Sequence, residues 1–338
     1  MKTILRTFVG CTAILFGTAC MGAVKYVPEN MKVELSLKVP GNNAVNYKLH
    51  PDKLENSYFD YEWRSDNKLP ITVFHKVEER DSCMRLTVQL TAAQDVYFNY
   101  RQLLSTGYRH DNCQFYMPGF WYRRNLRSPK KAPSFHTSDS WLVREDRLSA
   151  PLTGIFSEKE KRFMTVNRLD DFSMDALATH KEGEIILSGK TSLGFTGFEN
   201  QQGIAMLSFG FPYREAPKSY IRKLTLAPEV EAFQLMKKGE SVLLTWEIME
   251  SGADDFSDFI QHTWEHCYDT YVPKPVENSY SIADMKQVLS CFFVNSLVDN
   301  QPLVYNSGIH LKVSDCERNG QAEVGFIGRV LLNAFNAW

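Results

Sequence analysis

Apolar and polar residues alternate through Lys32-Val33-Glu34-Leu35-Ser36-Leu37-Lys38-Val39, a period of two that predicts a half-buried strand. The same reading places strands at Ile71–Val77, Met84–Leu90 and Val96–Tyr100, separated by the polar connections 78–82 and 91–95. It resumes at Leu152–Phe156, Phe163–Arg168, Glu184–Leu187, Ile204–Phe209, Tyr220–Leu226 and Val242–Ile248, with Gly194, Gly197 and Gly203 as turns or close approaches. About ten to twelve short strands with polar turns between them predict a mainly β chain, a large antiparallel β-sandwich over 24–250.

Near Ser251 the period changes. Ala253-Asp254-Asp255 suit the positive end of a helix dipole, and Phe256, Phe259, Ile260, Trp264 and Cys267 recur at three- and four-residue spacing. This predicts an amphipathic helix to about Tyr271, ended by Pro273 and Pro275, in a helical linker over 251–280. A second helix is predicted at Met285–Val298, with Ser281 as N-cap and Asp284 three residues on. A short strand, Ile309–Val313, follows, then a third helical run from Glu323 to Trp338 without a C-terminal cap. That pattern stops without a terminator, so the chain is expected to be a fragment that ends inside a helical domain over 281–338.

Between the strands lies a segment of another kind. Residues 116–147 carry six aromatics (Tyr116, Phe120, Trp121, Tyr122, Phe135, Trp141) and seven basic residues, broken by Pro118-Gly119, Pro129 and Pro133. Irregular stretches of this length are more often functional or disordered, and the aromatic density argues against disorder. Flat rings beside guanidinium groups can stack on sugar rings and hold their hydroxyls or carboxylates. The residues predicted to bind carbohydrate are Trp121, Tyr122, Arg123, Arg124, His136, Trp141, Arg144 and Glu145, and Trp121→Ala is expected to weaken glycan binding by about 1–3 kcal/mol. The competing reading makes the aromatics a cap on the open end of the sandwich core, with the arginines paired to Glu145 and Asp146.

Other features narrow the chemistry. Net charge is −2, which gives no reason to invoke nucleic acid. No dinucleotide or phosphate loop and no nucleophile elbow occurs, and no cofactor is expected. His262-Thr263-Trp264-Glu265-His266 formally matches H-x-x-E-H, with Glu323 as a formal third ligand; a linker helix with His262 and His266 near its wet side is the preferred reading, and no metal is expected. Arg144-Glu145-Asp146-Arg147 and Arg168-Leu169-Asp170-Asp171 are the densest charge clusters. A pair such as Glu145 with Asp170 would serve glycosidic acid/base chemistry at a suitable separation, against a salt-bridge network as the preferred reading. The five cysteines beyond the leader show no close spacing; one or two bridges are left open, and buried thiols are the preferred reading.

The N-terminus reads as a targeting segment over 1–23. Lys2 and Arg6 precede an apolar run from Phe8 to Ala19, too short to span a bilayer. Cleavage after Gly22 or Ala23 would release a soluble product; Gly17-Thr18-Ala19-Cys20 alternatively resembles a lipobox, with Cys20 acylated and the chain tethered to a membrane.

Three stretches carry a family resemblance: Met117-Pro118-Gly119-Phe120-Trp121-Tyr122-Arg123-Arg124-Asn125, Trp141-Leu142-Val143-Arg144-Glu145-Asp146-Arg147, and Glu323-Val324-Gly325-Phe326-Ile327-Gly328-Arg329. With the order of elements, they make the chain resemble the N-terminal half of secreted bacterial six-hairpin glycosidases, in which a β-sandwich precedes an (α/α)6 toroid. The resemblance implies a carbohydrate-active, polysaccharide-degrading glycoside hydrolase with its catalytic carboxylates mainly in the toroid, so no catalytic residue is assigned. It implies a polysaccharide or oligosaccharide partner, rich in uronic acid if the loop arginines bind it. The expected location is the periplasm or cell surface of a Gram-negative bacterium. The alternative is a non-catalytic exported glycan-binding module or surface lipoprotein.

Overall fold

The computed structural model describes residues 28–54, 60–80, 83–126, 132–170, 183–222, 224–272, 280–296, 305–312 and 315–323. The chain divides into two units, Met1–Tyr271 and Val272–Trp338. Strands of the first unit are β1 (Met31–Lys38), β2 (Val45–Lys53), β3 (Asp60–Arg64), β4 (Ile71–Arg80), β5 (Cys83–Ala92), β6 (Val96–Arg109), β7 (Cys113–Met117), β8 (Trp121–Arg123) and β9 (Trp141–Arg144). They continue as β10 (Leu152–Ser157), β11 (Arg162–Arg168), β12 (Gly183–Ile186), β13 (Phe195–Gln201), β14 (Ile204–Phe211), β15 (Arg214–Arg222), β16 (Thr225–Met236) and β17 (Ser241–Gly252), and helix α1 (Phe256–Tyr271) closes the unit.

The fold is mainly β, as the alternation predicts, and it forms two facing layers. One layer runs β2-β1-β6-β14-β13-β9. The other runs β2-β3-β4-β5-β17-β11-β10-β7-β8. Strand β2 serves both: Val45–Leu49 pair with β1 and 50–53 with β3. A smaller group, β12-β16-β15, joins at β6 and β9, and its β12–β16 ladder is parallel.

The core lies where the apolar phases of the two layers meet. Val33, Leu35, Phe98, Tyr100, Leu207 and Phe209 come from one layer and Val73, Leu86, Val88, Val166, Trp246 and Ile248 from the other; all are buried. Aromatic contacts cross the gap, with Trp246 5.1 Å from Phe209 and 6.3 Å from Tyr100 between ring centres. Inside this core Tyr100 Oη lies 2.9 Å from His75 Nε2 and donates to Gln102 Oε1 at 2.7 Å, so three buried polar side chains are hydrogen-bonded to one another.

Strand β10 is buried along its whole length because both its faces are covered. One faces the core and the other lies under α1, where Phe259 packs 4.9 Å from Phe163 and 6.0 Å from Phe156. Gly154 makes this possible: a Cβ there would stand 2.5 Å from Phe259 Cζ. Helix α1, expected as a linker, therefore belongs to the sandwich unit through Phe256, Phe259, Thr263 and Cys267.

Several expectations differ from the structure, beginning with strand number: the described residues of the first unit form seventeen strands rather than ten to twelve. The run Tyr220–Leu226 is not one strand: Leu224 takes φ 58° and the chain reverses, pairing Arg222 with Thr225. Strand β6 extends to Arg109 because polar residues such as Gln102 and Thr106 are buried with hydrogen-bond partners, which interrupts the alternation without ending the ladder. The segment 116–147, expected to be irregular, contains the end of β7 and the short strands β8 and β9, each paired to a neighbouring strand.

In the second unit, helix α2 (Ile282–Ser296) is capped as predicted. Asp284 N–H donates to Ser281 Oγ at 3.1 Å and Ser281 N–H to Asp284 Oδ2 at 3.0 Å, so Asp fills the reciprocal role usually taken by Glu. Strands β18 (Tyr305–Lys312) and β19 (Asp315–Glu323) form a hairpin. The predicted third helix begins at the last residue of β19, and its remainder lies outside the described residues, as do the leader and Cys20. Among the described residues no helix is long and apolar enough to cross a membrane.

Candidate functional site

The described parts of the aromatic-basic segment are tied together by hydrogen bonds. Strands β7 and β8 form a hairpin whose turn is closed by Phe120 N–H to Met117 O at 3.0 Å. Gly119 takes φ 76° there, and a Cβ would lie 2.5 Å from Ser149 Oγ, so the position needs glycine. Asn125, at φ 49°, ties the following chain: its Nδ2 donates to Phe120 O and Pro133 O at 3.2 Å, and its Oδ1 accepts from Tyr122 N–H at 3.0 Å.

Most of the ring surface points inward. Trp121 is 0% and Trp141 1% exposed, with ring centres 5.8 Å apart, and Trp121 also meets Phe198 at 5.1 Å. Both indole N–H groups are used within the loop, on Arg123 O at 2.8 Å and Ser138 O at 3.0 Å. Trp121 and Trp141 therefore cannot present a face to a sugar. This corrects their predicted binding role in favour of the core cap, since burying two indoles gains more than exposing them at the sandwich end.

The charged run Arg144-Glu145-Asp146-Arg147 is likewise distributed among partners. Arg144 is 2% exposed, lies 4.4 Å over the Tyr213 ring, and holds Asp146 with both ends of its guanidinium at 2.9 and 2.7 Å. Glu145 is fully buried; its Oε2 accepts from Arg168 Nη1 at 2.7 Å and from Gly194 N–H at 2.8 Å. Arg168 Nε also reaches Asp170 at 3.0 Å, so Glu145 and Asp170 do come together, but on either side of one arginine. Burial pushes the Glu145 carboxyl up, opposed by Arg168 and by Gly194 N–H. Arg147 pairs with buried Glu215, which Ser219 also contacts. Arg144 and Glu145 are thus positioning groups out of reach of solvent, which corrects their predicted contact with carbohydrate.

The remaining predicted residues separate. Arg124 straps the loop, lying 5.2 Å over Phe135 and donating to Cys113 O. Exposed His136 has Nε2 3.0 Å from Leu126 O. Tyr122, half-exposed, and Arg123, whose guanidinium lies 5.0 Å over Phe256, stand on the side of the hairpin next to α1.

What these ties build is a cleft of about 430 Å³ between the hairpin turn, the charged run and β15. Phe120, Asn125, Pro133, Asp146, Arg147 and Tyr220 line it. The rings of Phe120 and Tyr220 meet edge to face at 5.7 Å, and Arg147 lies 5.9 Å over Tyr220. Two aromatic rings, a carboxylate held by Arg144 and a guanidinium held by Glu215 thus border one concavity with their rotamers already set. Phe120, Asp146, Arg147 and Tyr220 were not singled out as binding residues in the sequence. The first three lie within the segment that was, whereas Tyr220 arrives from a strand some seventy residues on, where no local signal marks it.

Helix α1 does not form the metal site its motif allows. His266 Nε2 lies 2.6 Å from Glu247 Oε1, His262 faces Asp258 at 3.6 Å, and Glu265 accepts from Gln261 at 2.8 Å. Among the described residues no group of three or more His, Cys, Asp or Glu side chains could hold a metal ion. Cys83 also contacts Glu247, and burial and that carboxylate push its thiol up to about 12, which favours the protonated form.

No family model matches the chain, and no curated protein matches it. Several solved structures align with part of the chain. A polysaccharide lyase aligns over 69% of this chain and 27% of its own, at 13% identity and a TM-score of 0.34. A galactose mutarotase-like protein from Clostridium acetobutylicum aligns over 66% of this chain and 79% of its own, at 8% identity and a TM-score of 0.33. A putative kojibiose phosphorylase from the human microbiome aligns over 75% of this chain and 26% of its own, at 5% identity and a TM-score of 0.29. The alignment spans about a quarter of the length of the lyase and the phosphorylase.

Proposed function

We propose that the sandwich is the glycan-engaging part of an exported carbohydrate-active protein, and that the cleft at Phe120 and Tyr220 takes a sugar ring. One observation carries this reading: two aromatic rings with pre-set polar groups, Asp146 and Arg147, border a single concavity. A pyranose offers C–H faces to rings and hydroxyls to charged groups, and the ion pairs that fix Asp146 and Arg147 spare the ligand the cost of ordering them. Both charged groups are balanced by a partner, Arg144 or Glu215, which favours a hydroxyl-rich neutral sugar over a uronic acid.

The carboxylates Glu145 and Asp146 of the charged run and Glu215 of β15 are each engaged by arginine, so binding is assigned to this part of the chain. Cleavage of a polysaccharide, the hydrolase reading that the six-hairpin resemblance implies, is assigned to the helical part of such a protein. Export rests on the charged-then-apolar leader, with Cys20 as the acylation site if the lipobox is used.

Tyr220→Ala tests the cleft. It is expected to weaken binding to soluble polysaccharides in affinity electrophoresis by about tenfold, near the value of one aromatic contact, with an unchanged melting profile. Unchanged retardation of a folded variant would remove the cleft as a sugar site.

A further inference from the structure

The β7–β8 hairpin sends Phe120 to the cleft and Tyr122 to the opposite side, toward α1. There Tyr116, itself fully buried, ties two exposed rings together. Its ring centre is 5.3 Å from that of Tyr122, and its hydroxyl accepts from Trp264 Nε1–H at 2.6 Å. Tyr122 is 51% and Trp264 42% exposed. One helical turn beyond Trp264, Tyr268 is 65% exposed on the same side of α1. On the same side of the helix stand Gln261 and Glu265, hydrogen-bonded to each other at 2.8 Å and exposed.

The geometry points to a second sugar-binding surface, in which Tyr122, Trp264 and Tyr268 are stacking platforms for successive units of a polysaccharide whose hydroxyls meet Gln261 and Glu265. The inference rests on the glycan reading above but uses different residues. The physical case has three parts. The Trp264 N–H is satisfied by a buried hydroxyl, so the indole is held in one orientation while part of its surface stays wet, which lowers the entropy lost when a ring stacks on it. The platform draws on a strand and a helix that meet on one buried anchor, so its spacing is set by the fold. Finally, the exposed helix side that carries Trp264 and Tyr268 also carries the polar Gln261 and Glu265. A protein–protein contact is depleted of charged residues at its centre, whereas a sugar chain presents both C–H faces and hydroxyls.

The test uses the full chain in affinity electrophoresis against barley β-glucan, xylan, polygalacturonate and pullulan, with sedimentation velocity and thermal melting alongside. Trp264→Ala is expected to weaken retardation by the bound polysaccharide about tenfold, and Trp264→Phe to retain most of it. Tyr268→Ala, at the most exposed of the three positions, is expected to weaken it without altering the melting profile. If Trp264→Ala and Tyr268→Ala bind as the parent does while Tyr220→Ala is impaired, the platform falls and the cleft stands. The reverse pattern leaves the platform and removes the cleft. A parent dimer that Trp264→Ala turns into a monomer, with binding unchanged, would overturn the platform by making it a protein interface. Retardation by none of the four polysaccharides would overturn both readings.

Discussion

Trp121 has the composition and neighbours of a binding residue and the position of a core residue. In the sequence it stands between Phe120 and Tyr122 in a loop dense with arginine, and a local reading cannot tell which of three consecutive rings turns inward. The β7–β8 register decides it: Met117 pairs with Trp121 and Tyr116 with Tyr122, so alternate side chains take opposite faces. Trp121 joins Phe198 and Trp141, Tyr122 lies beside Tyr116 on the other face, and Phe120, in the turn outside the ladder, packs on Tyr220 at the core margin. Trp121→Ala should therefore act on stability: a loss of about 3–5 kcal/mol in urea unfolding, the range for removing a buried large aromatic. Sugar affinity of the folded fraction should stay unchanged. A variant of parental stability with weakened binding would restore the platform reading of this residue. The charged run shows the same limit. Its pairing with carboxylate is legible as Arg144 with Asp146, but the partners Arg168 and Glu215 come from distant strands.

Helix α1 illustrates what period and spacing establish at the scale of an element. The recurrence of Phe256, Phe259, Ile260 and Cys267 marks an amphipathic helix, and α1 begins at Phe256 and ends at Tyr271. The pattern does not say what receives its apolar side. Gly154 does, by leaving room on β10 for Phe259. Phe259→Ala should cost about 3–5 kcal/mol, because it empties a site bounded by Phe156, Phe163 and Tyr116. It should also raise amide exchange across α1 and leave exchange in the inner strands β4 and β5 nearly as slow as before. Loss of protection in β4 and β5 equal to that in α1 would mean that helix and sandwich unfold only as one. Helix H-x-x-E-H spacing, by contrast, brought no convergence of ligands: His266 turns to Glu247 and His262 to Asp258.

For the molecule as a whole, the polar trio in the core makes stability depend on pH. Burial lowers the His75 pKa from 6.5 to about 3. The unfolded chain therefore takes up a proton below pH 6.5 that the fold excludes until about pH 3. Stability from this group is fully present above pH 6.5 and falls as pH drops through that window, with a slope approaching about 1.4 kcal/mol per pH unit. Burial lowers His110 as well, in the same direction. Denaturant unfolding between pH 7 and 5, above the range in which most carboxylates titrate, should show the decline, and His75→Gln should flatten it. An equal slope in that variant would place the dependence elsewhere. The sequence by itself determined the β class, the phase of most strands, both helices and the α2 cap, because those depend on contacts a few residues apart and on a two- or 3.6-residue period. Tertiary structure alone decided which rings became core, which arginine met which carboxylate, and that Phe120 and Tyr220 share a cleft. The cleft and the pairs Arg168–Glu145 and Arg147–Glu215 depend on strands far apart in the chain, and the inward turn of Trp121 on the β7–β8 register, neither of which a local period encodes.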